Sequence, residues 1–431
     1  MIIAGSVILL CALLLLGLTV PLAFGGVMIF LAFLGGHDVT GFLPTGHWKM
    51  NSLVILAIPL FILAGAIMER GKIAAPLVNL AELFIGHIRG GLSTTAVIAS
   101  GIFGSITGSA NATLTCIGSV MMPHLRRANY PEGLSAALIA NASLLGLLIP
   151  PSASQILYAW VAQQSVLACF LATVVPGVIL IVLLCVTNQF MLRKYKDLNL
   201  QPKVESLGPE LAKRSRRAVP ALFMPVIILG GIYGGIMTPT EAAGVAVIYA
   251  VPIAIYVYRG LTWKTFFQTM RQGGVTVGVV MVMIFMVLIV SRLLIFEDIP
   301  GIAQDLVYSI SDNPIVILLM VNVVMILIGM LMDDISGLLL STPLLLPIVQ
   351  SVGMDPIHFS AVLAVNLGMA NVTPPTAPLL YLGARVTNTP VSKMLKPTLM
   401  FILFAWLPTL MLTTFLPELS LYLPHLLLGI R

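Results

Sequence analysis

Twelve apolar segments follow one another along this chain, ten of a length to cross a bilayer once and two too long for a single helix. A helix needs about 20 apolar residues to span the hydrocarbon layer. The single-crossing segments are 2–19, 20–36, 51–68, 133–165, 168–190, 218–236, 239–258, 275–295, 357–388 and 396–416. The two long ones, 91–125 and 314–350, carry Gly, Ser, Thr or Asp near their middle and are predicted to be re-entrant helical hairpins. Only 9% of the residues are charged, against about 25% in a soluble protein, so most of the surface must face lipid. A soluble enzyme, a nucleic-acid binder and a disordered chain are excluded. The cysteines lie in apolar runs with no CxxC spacing, and the opening MIIAGSVILL lacks the basic stretch of a secretory signal.

Positive charge orients the segments. With the N-terminus outside and both hairpins returning to the face they entered, all but Lys49, Arg292 and Arg431 of the 22 Lys and Arg fall on the cytoplasmic side. A fully crossing hairpin would put the following basic loops on the wrong side. Ten spans, two hairpins and two outer termini satisfy the rule. The one long polar stretch, 191–217, carries eight basic and three acidic residues. It reads as an orientation signal against anionic lipid.

Shifted by 224 residues, the chain matches itself: Pro123 falls on Pro347, Ala137 on Ala361, Ala140 on Ala364, and Pro150–Pro151 on Pro374–Pro375. Upstream, Phe61 falls on Phe285 and Pro76 on Pro300. Two repeats are predicted, 1–190 and 218–431, joined by the basic linker. Each holds three spans, an amphipathic arm (70–89 or 298–312), a hairpin, a Pro–Pro-broken helix and a last span. Five crossings per repeat is an odd number, so the second repeat enters upside down, the plan of secondary transporters.

Helix-breaking residues at membrane depth are tolerated where they line a cavity. They cluster in 101–113 and 147–154, and again in 329–337 and 371–378. Serine, threonine, asparagine and aspartate oxygens with unwound carbonyls form the hard, nearly neutral donor set that a sodium ion takes. The candidates are Ser105, Ser109 and Asn111 with carbonyls near Leu148 and Pro150, then Asp333, Asp334 and Ser336 with Thr373 and a carbonyl near Pro375. Asp333 and Asp334 are the only acids expected deep in the membrane, where a charge costs at least about 2.5 kcal/mol. One of them is expected to ligate a cation, with proton coupling as the alternative, or Asp334 caps its helix. With no Lys, Arg or His expected at the midplane, an anionic substrate would rely on helix N-termini and bound cations. Ser109, Ser152, Ser154 and Thr376 are its candidate contacts; Arg292 and Arg385 lie near span ends.

Several of these strings resemble one family. GGIYGGIMTPTEAAGVAVIYA (230–250), GSITGSANAT (104–113), LLIPPS, NVTPPT and the MDD…LPI pattern (332–348) are similar to the large, DctM-like membrane subunit of tripartite ATP-independent periplasmic (TRAP) transporters. The resemblance implies a sodium-driven elevator that takes up an organic acid, such as a dicarboxylate or a sugar acid like sialic acid, across the bacterial inner membrane. It implies a periplasmic binding protein and a small four-helix membrane subunit as partners, the latter expected as a separate chain. It also adds Gly235 and Thr238, otherwise a tight outer turn, to the sodium candidates. The rival readings are a stand-alone sodium/divalent-anion symporter, which needs no binding protein, and a membrane-embedded enzyme, which needs a charged interfacial cluster that the chain lacks.

Overall fold

A computed structural model describes residues 2–34, 36, 41–195, 197–199 and 207–429. His37, Lys196, Lys203 and Arg431 lie outside the described residues, as does part of the 191–217 linker. Among the described residues every regular element is helical. Eight helices are long and apolar enough to cross a membrane, or nine with one bent pair counted as a span. Six of the ten expected crossings are among these eight, 133–165 is the bent pair, and 2–19, 20–36 and 357–388 hold helices of 17 residues or fewer. The other two of the eight are the helices of the segment 314–350, expected as a hairpin. The first two helices, α1 (Ile2–Leu15) and α2 (Val20–Leu34), are shorter than the apolar runs that contain them.

The first half continues with α3 (Phe42–Met50), a short helix missed in the sequence, then α4 (Leu53–Arg70) and the arm α5 (Ala74–Ile85). The first hairpin is α6 (Gly91–Thr107) and α7 (Ala110–Arg127). The broken helix is α8 (Glu132–Ser143), α9 (Leu145–Leu148) and α10 (Ala153–Val161), bent by 44° at its break. The last span is α11 (Val166–Leu192).

The second half opens with α12 (Leu207–Tyr233) and α13 (Pro239–Pro252), the latter running into a π-helical turn over Ile253–Val257. Helix α14 (Trp263–Phe296) has 34 residues and starts well before the expected 275. Its rise of about 51 Å exceeds the hydrocarbon thickness. Thr262 starts it by capping: its hydroxyl takes the Thr265 N–H, and Thr265 returns a bond to the Thr262 N–H. The arm α15 (Ile299–Ile310), the hairpin α16 (Pro314–Leu331) and α17 (Asp334–Ser351), and the broken helix α18 (Pro356–Val372) and α19 (Pro378–Thr387) follow. Then come α20 (Val391–Phe401), a π-helical turn over Ile402–Trp406, α21 (Leu407–Phe415) and α22 (Glu418–Leu428), the last again missed in the sequence.

Two packing groups can be drawn, touching each other where α4 meets α10 and α14 meets α17. In one, α4 lies against α13 and α14, α14 against α2, and α12 against α13 and the arm α5. In the other, the hairpins and broken helices of the two halves interlock. Helix α10 of the first half packs on α17 of the second, and α19 of the second packs on α7 of the first. The last spans exchange in the same way, α11 against α18 and α20 against α8. Trp406 pins this group at its centre. It is fully buried, its indole N–H donates to Asn141 Oδ1 at 2.9 Å, and a Cβ at Gly368 would touch its ring at 2.9 Å. One side chain thus seats against the broken helices of both halves.

Close backbone approach also holds the hairpins to the broken helices. A Cβ at Gly104 on α6 would fall 2.7 Å from the Gly146 Cα on α9, and one at Gly329 on α16 would fall 2.7 Å from the Ala370 Cβ on α18. Small residues at helix contacts are the usual means of packing within lipid, where no hydrophobic force drives helices together.

Candidate functional site

Each hairpin breaks at a short extended link. In the first, Gly108 adopts a left-handed φ of 60° and Ser109 an extended one of −139°. Glycine is required at 108 on two counts: the left-handed backbone, and a Cβ there would lie 2.7 Å from the Pro151 carbonyl oxygen. The hairpin tip therefore rests on the Pro–Pro break of the neighbouring helix. Ser109 caps α7, its hydroxyl accepting from the Ala112 N–H at 3.4 Å. Its carbonyl accepts from the Thr113 hydroxyl at 2.8 Å. In the second hairpin Asp333 is the N-cap of α17, yet its side chain caps no backbone N–H. Its Oδ1 instead accepts from the buried Ser336 hydroxyl. Both Pro–Pro bonds, 150–151 and 374–375, are cis.

The two tips meet at one cavity of about 410 Å³. Ser109, Asn111, Asp333 and Asp334 all line it. The opposite wall comes from the other packing group. Helix α4 presents Phe61, Gly65, Glu69 and Arg70, and α14 presents Thr269, Gln272, Gly273 and Thr276, each set at helical spacing on one face. The Arg70 guanidinium donates to Gln272 Oε1, joining the two helices. A Cβ at Gly65 would sit 3.3 Å from the Thr107 carbonyl oxygen, so the wall touches the hairpin tip through a glycine.

Glu69 and Arg70 line the cavity together with Asp333 and Asp334, an acid and a base that the sequence reading did not place at the site. Glu69 and Arg70 end the apolar run of α4, so composition placed them outside it. Most of the 269–276 polar face lies before the apolar run expected from 275. Its three- and four-residue spacing was the signal available in the sequence.

The other candidates lie around this cavity or away from it. Ser105 is buried and donates to the Ile102 carbonyl at 2.7 Å. Leu148 and Pro150 are buried in the broken helix, and Ser152 and Ser154 are buried with their hydroxyls 2.9 Å apart. Ser336 shares its hydroxyl between Asp333 and the Met283 sulfur, so it positions the carboxylate from behind. Thr373 donates to the Met369 carbonyl at 2.7 Å, the Pro375 carbonyl accepts from Tyr381 at 3.1 Å, and Thr376 donates to the Met330 carbonyl, tying the broken helix to its hairpin. Gly235 and Thr238 form the turn between α12 and α13, where Thr238 makes a capping box with Glu241. Arg292 stacks over Phe296 at 5.1 Å, and Arg385 is exposed near the end of α19. Burial, then the nearby Arg292 charge, lowers the pKa of Lys49 on α3. None of these thirteen residues lines the cavity described above.

Comparison with known proteins gives a consistent result. The family described as "Tripartite ATP-independent periplasmic transporter, DctM component" matches residues 7–419. The C4-dicarboxylate TRAP transporter large permease protein DctM of Pseudomonas aeruginosa is 36% identical, covering 86% of this chain and 86% of that one. The sialic acid TRAP transporter large permease protein SiaM of Vibrio cholerae is 32% identical over 95% of this chain and 96% of that one. The ectoine/5-hydroxyectoine large permease protein UehC of Ruegeria pomeroyi is 31% identical, covering 86% of each. Among solved structures, the YdaH transporter of Alcanivorax borkumensis superposes with a TM-score of 0.57 at 14% identity, over 90% of this chain and 87% of that one.

Proposed function

The chain belongs to the DctM family of TRAP transporter large permease subunits, and on that premise we propose that it carries an organic acid anion inward by sodium-coupled elevator motion. It is a multi-span membrane transport protein, and its relatives are named as permeases rather than enzymes. The observation that carries the proposal is the cavity. One wall holds the hairpin tips with Ser109 and Asp333, and the other holds α4 and α14, which belong to a different packing group.

In this reading α6–α11 and α16–α22 move as one body against a fixed frame of α1–α4 and α12–α14, with α5 and α15 as connecting arms. The frame and the mobile body of the two halves are related by an inverted repeat, with both termini periplasmic. Sodium is a co-transported substrate. Oxygens of Ser109, Asn111 and Asp333 are hard donors that suit it, with Asp334 as a further carboxylate at the same helix end. Binding of the cation orders the hairpin tips and offsets the carboxylates that would repel an incoming acid. Coupling then requires sodium to bind the substrate-competent arrangement better than its alternative. Helix N-termini at Ala110 and Asp334 supply positive potential for the anion. A periplasmic binding protein delivers the substrate and a small membrane subunit braces the frame, in the inner membrane of a bacterium.

Reconstitution tests this. The chain is placed in proteoliposomes with its small subunit, and uptake is measured with its binding protein and an organic acid identified by thermal shift of that binding protein. Uptake should follow an inward sodium gradient and vanish with choline. Uptake without sodium, or by this chain with no binding protein, overturns the proposal.

A further inference from the structure

A second concavity of about 1140 Å³ lies between the arm α5, the first turns of α12 and the end of α13. Lys72, Lys213, Arg214, Arg216 and Arg217 line it, against Glu82 and Glu210. The acids do not balance the bases. Arg214 Nε meets Glu210 Oε1 at 2.8 Å, and its guanidinium also donates to the Asn79 carbonyl on the arm at 2.8 Å. Among the described residues Lys72, Lys213, Arg216 and Arg217 are exposed and form no ion pair, leaving four cations and one carboxylate.

The groove is built where helices end. The Tyr258 hydroxyl donates to the Arg217 carbonyl at 2.7 Å and accepts the Ala221 N–H at 3.2 Å, fixing the end of α13 against α12. Apolar surface continues from the basic lining. Val257 is itself a lining residue and is 51% exposed; Val219 and Phe223 follow Arg217 on α12 at 50% and 53%. On the arm, Phe84 next to the lining residue Leu83 is 56% exposed.

We propose that this groove binds the phosphate headgroup of an anionic phospholipid, one that carries no balancing amine. Among the described residues, four cations outside ion-pair distance of any acid, against one such carboxylate, favour a net negative ligand. Guanidinium groups pair with phosphate oxygens through two parallel hydrogen bonds. The adjoining apolar surface on α12 and α13 gives the acyl chains a path that a soluble phosphate compound would leave bare. Basic pockets between membrane helices are a recognised form of headgroup site. Bound there, the lipid joins the arm leading to the first hairpin to the frame helix α12, reinforcing the Arg214–Asn79 bond.

The test is lipid titration of the full, delipidated chain, read by native mass spectrometry, with phosphatidylglycerol, cardiolipin and phosphatidylcholine. Wild type should bind the two anionic lipids at least tenfold tighter than phosphatidylcholine. Lys213→Gln/Arg216→Gln/Arg217→Gln should lose that preference. Lys264→Gln/Arg271→Gln/Lys396→Gln, which removes as much charge outside the groove, should keep it. Lys72→Asn, on the facing arm and compatible with the left-handed φ of 58° at that position, should weaken anionic-lipid binding several-fold, and it serves if the triple variant fails to fold. Equal losses in both triple variants would mean diffuse electrostatics and overturn the site. So would unchanged preference in the groove variants, or displacement of lipid by millimolar inorganic phosphate, which marks a soluble ligand. Loss of lipid on adding the small subunit would assign the groove to a protein interface instead.

Discussion

Ser109 and Asp333 stand 224 residues apart and occupy the same place: each is the N-cap of the second helix of its hairpin, and both line one cavity. They use that place differently. Ser109 spends its hydroxyl on the helix it starts, whereas the Asp333 carboxylate leaves its helix uncapped and takes a hydroxyl from Ser336. A hydroxyl oxygen and a carboxyl oxygen thus converge from the two halves.

Replacing Asp333 by Ala or Asn should abolish sodium-dependent uptake while membrane insertion and the thermal melting profile stay close to wild type. Sodium binding itself, followed as the half-saturating concentration for thermal stabilisation, is the quantity to measure. A tenfold rise corresponds to about 1.4 kcal/mol of lost cation binding. Unchanged sodium dependence would remove Asp333 from the ion site.

Ser109→Ala removes a helix cap and a cavity oxygen together. The cap alone is worth about 1 kcal/mol, so a drop of a few degrees in melting temperature is expected along with a several-fold rise in half-saturating sodium. Ser109→Thr keeps the hydroxyl and should restore both. A melting change with no shift in sodium response would leave Ser109 a cap and nothing more.

Two glycines in left-handed conformation separate backbone strain from packing. Gly108 has a φ of 60° and no room for a Cβ; Gly235 has a φ of 68° and open space around it. Alanine at either position costs about 1–2 kcal/mol in the left-handed backbone. Only Gly108→Ala should also stop transport, because it pushes the hairpin tip off Pro151. Thermal melting and uptake of the two variants, compared side by side, decide this.

Trp406→Phe deletes the bond to Asn141 and leaves a buried amide oxygen without its partner, a loss of about 1–3 kcal/mol. The expected result is a lower melting temperature with uptake reduced but still sodium-dependent. A melting temperature equal to wild type would show that Trp406 does not hold the broken helices together.

Cysteines at Asn111 and Gln272, on opposite walls of the cavity, should react with a membrane-impermeant thiol reagent in a background lacking Cys11, Cys116, Cys169 and Cys185. Sodium with substrate should slow the reaction at Asn111 several-fold. Labelling at position 193 reports the side on which the basic linker lies, and a periplasmic result there would reverse the proposed orientation.

The all-helical membrane class, most of the crossings, the two Pro–Pro breaks and the family were legible in the sequence, because bilayer thickness and helix-breaking residues act locally, whereas apolar length alone overstated the number of full-length spans. Ser109, Asn111, Asp333 and Asp334 were picked out on the same ground, each lying beside a break that lipid would not tolerate unfilled, and all four line the cavity. Residues in regular helix were a different matter. Ser105 carries the right chemistry and turns it into its own helix, while Glu69, Arg70 and Gln272 sit at or beyond the ends of apolar runs and line the cavity. Which face of α4 or α14 meets the hairpin tips depends on how whole helices pack across the two groups. That rotation is set by contacts such as Gly65 against Thr107 and Gly273 against Leu63, between residues far apart along the chain, and only the assembled structure fixes it.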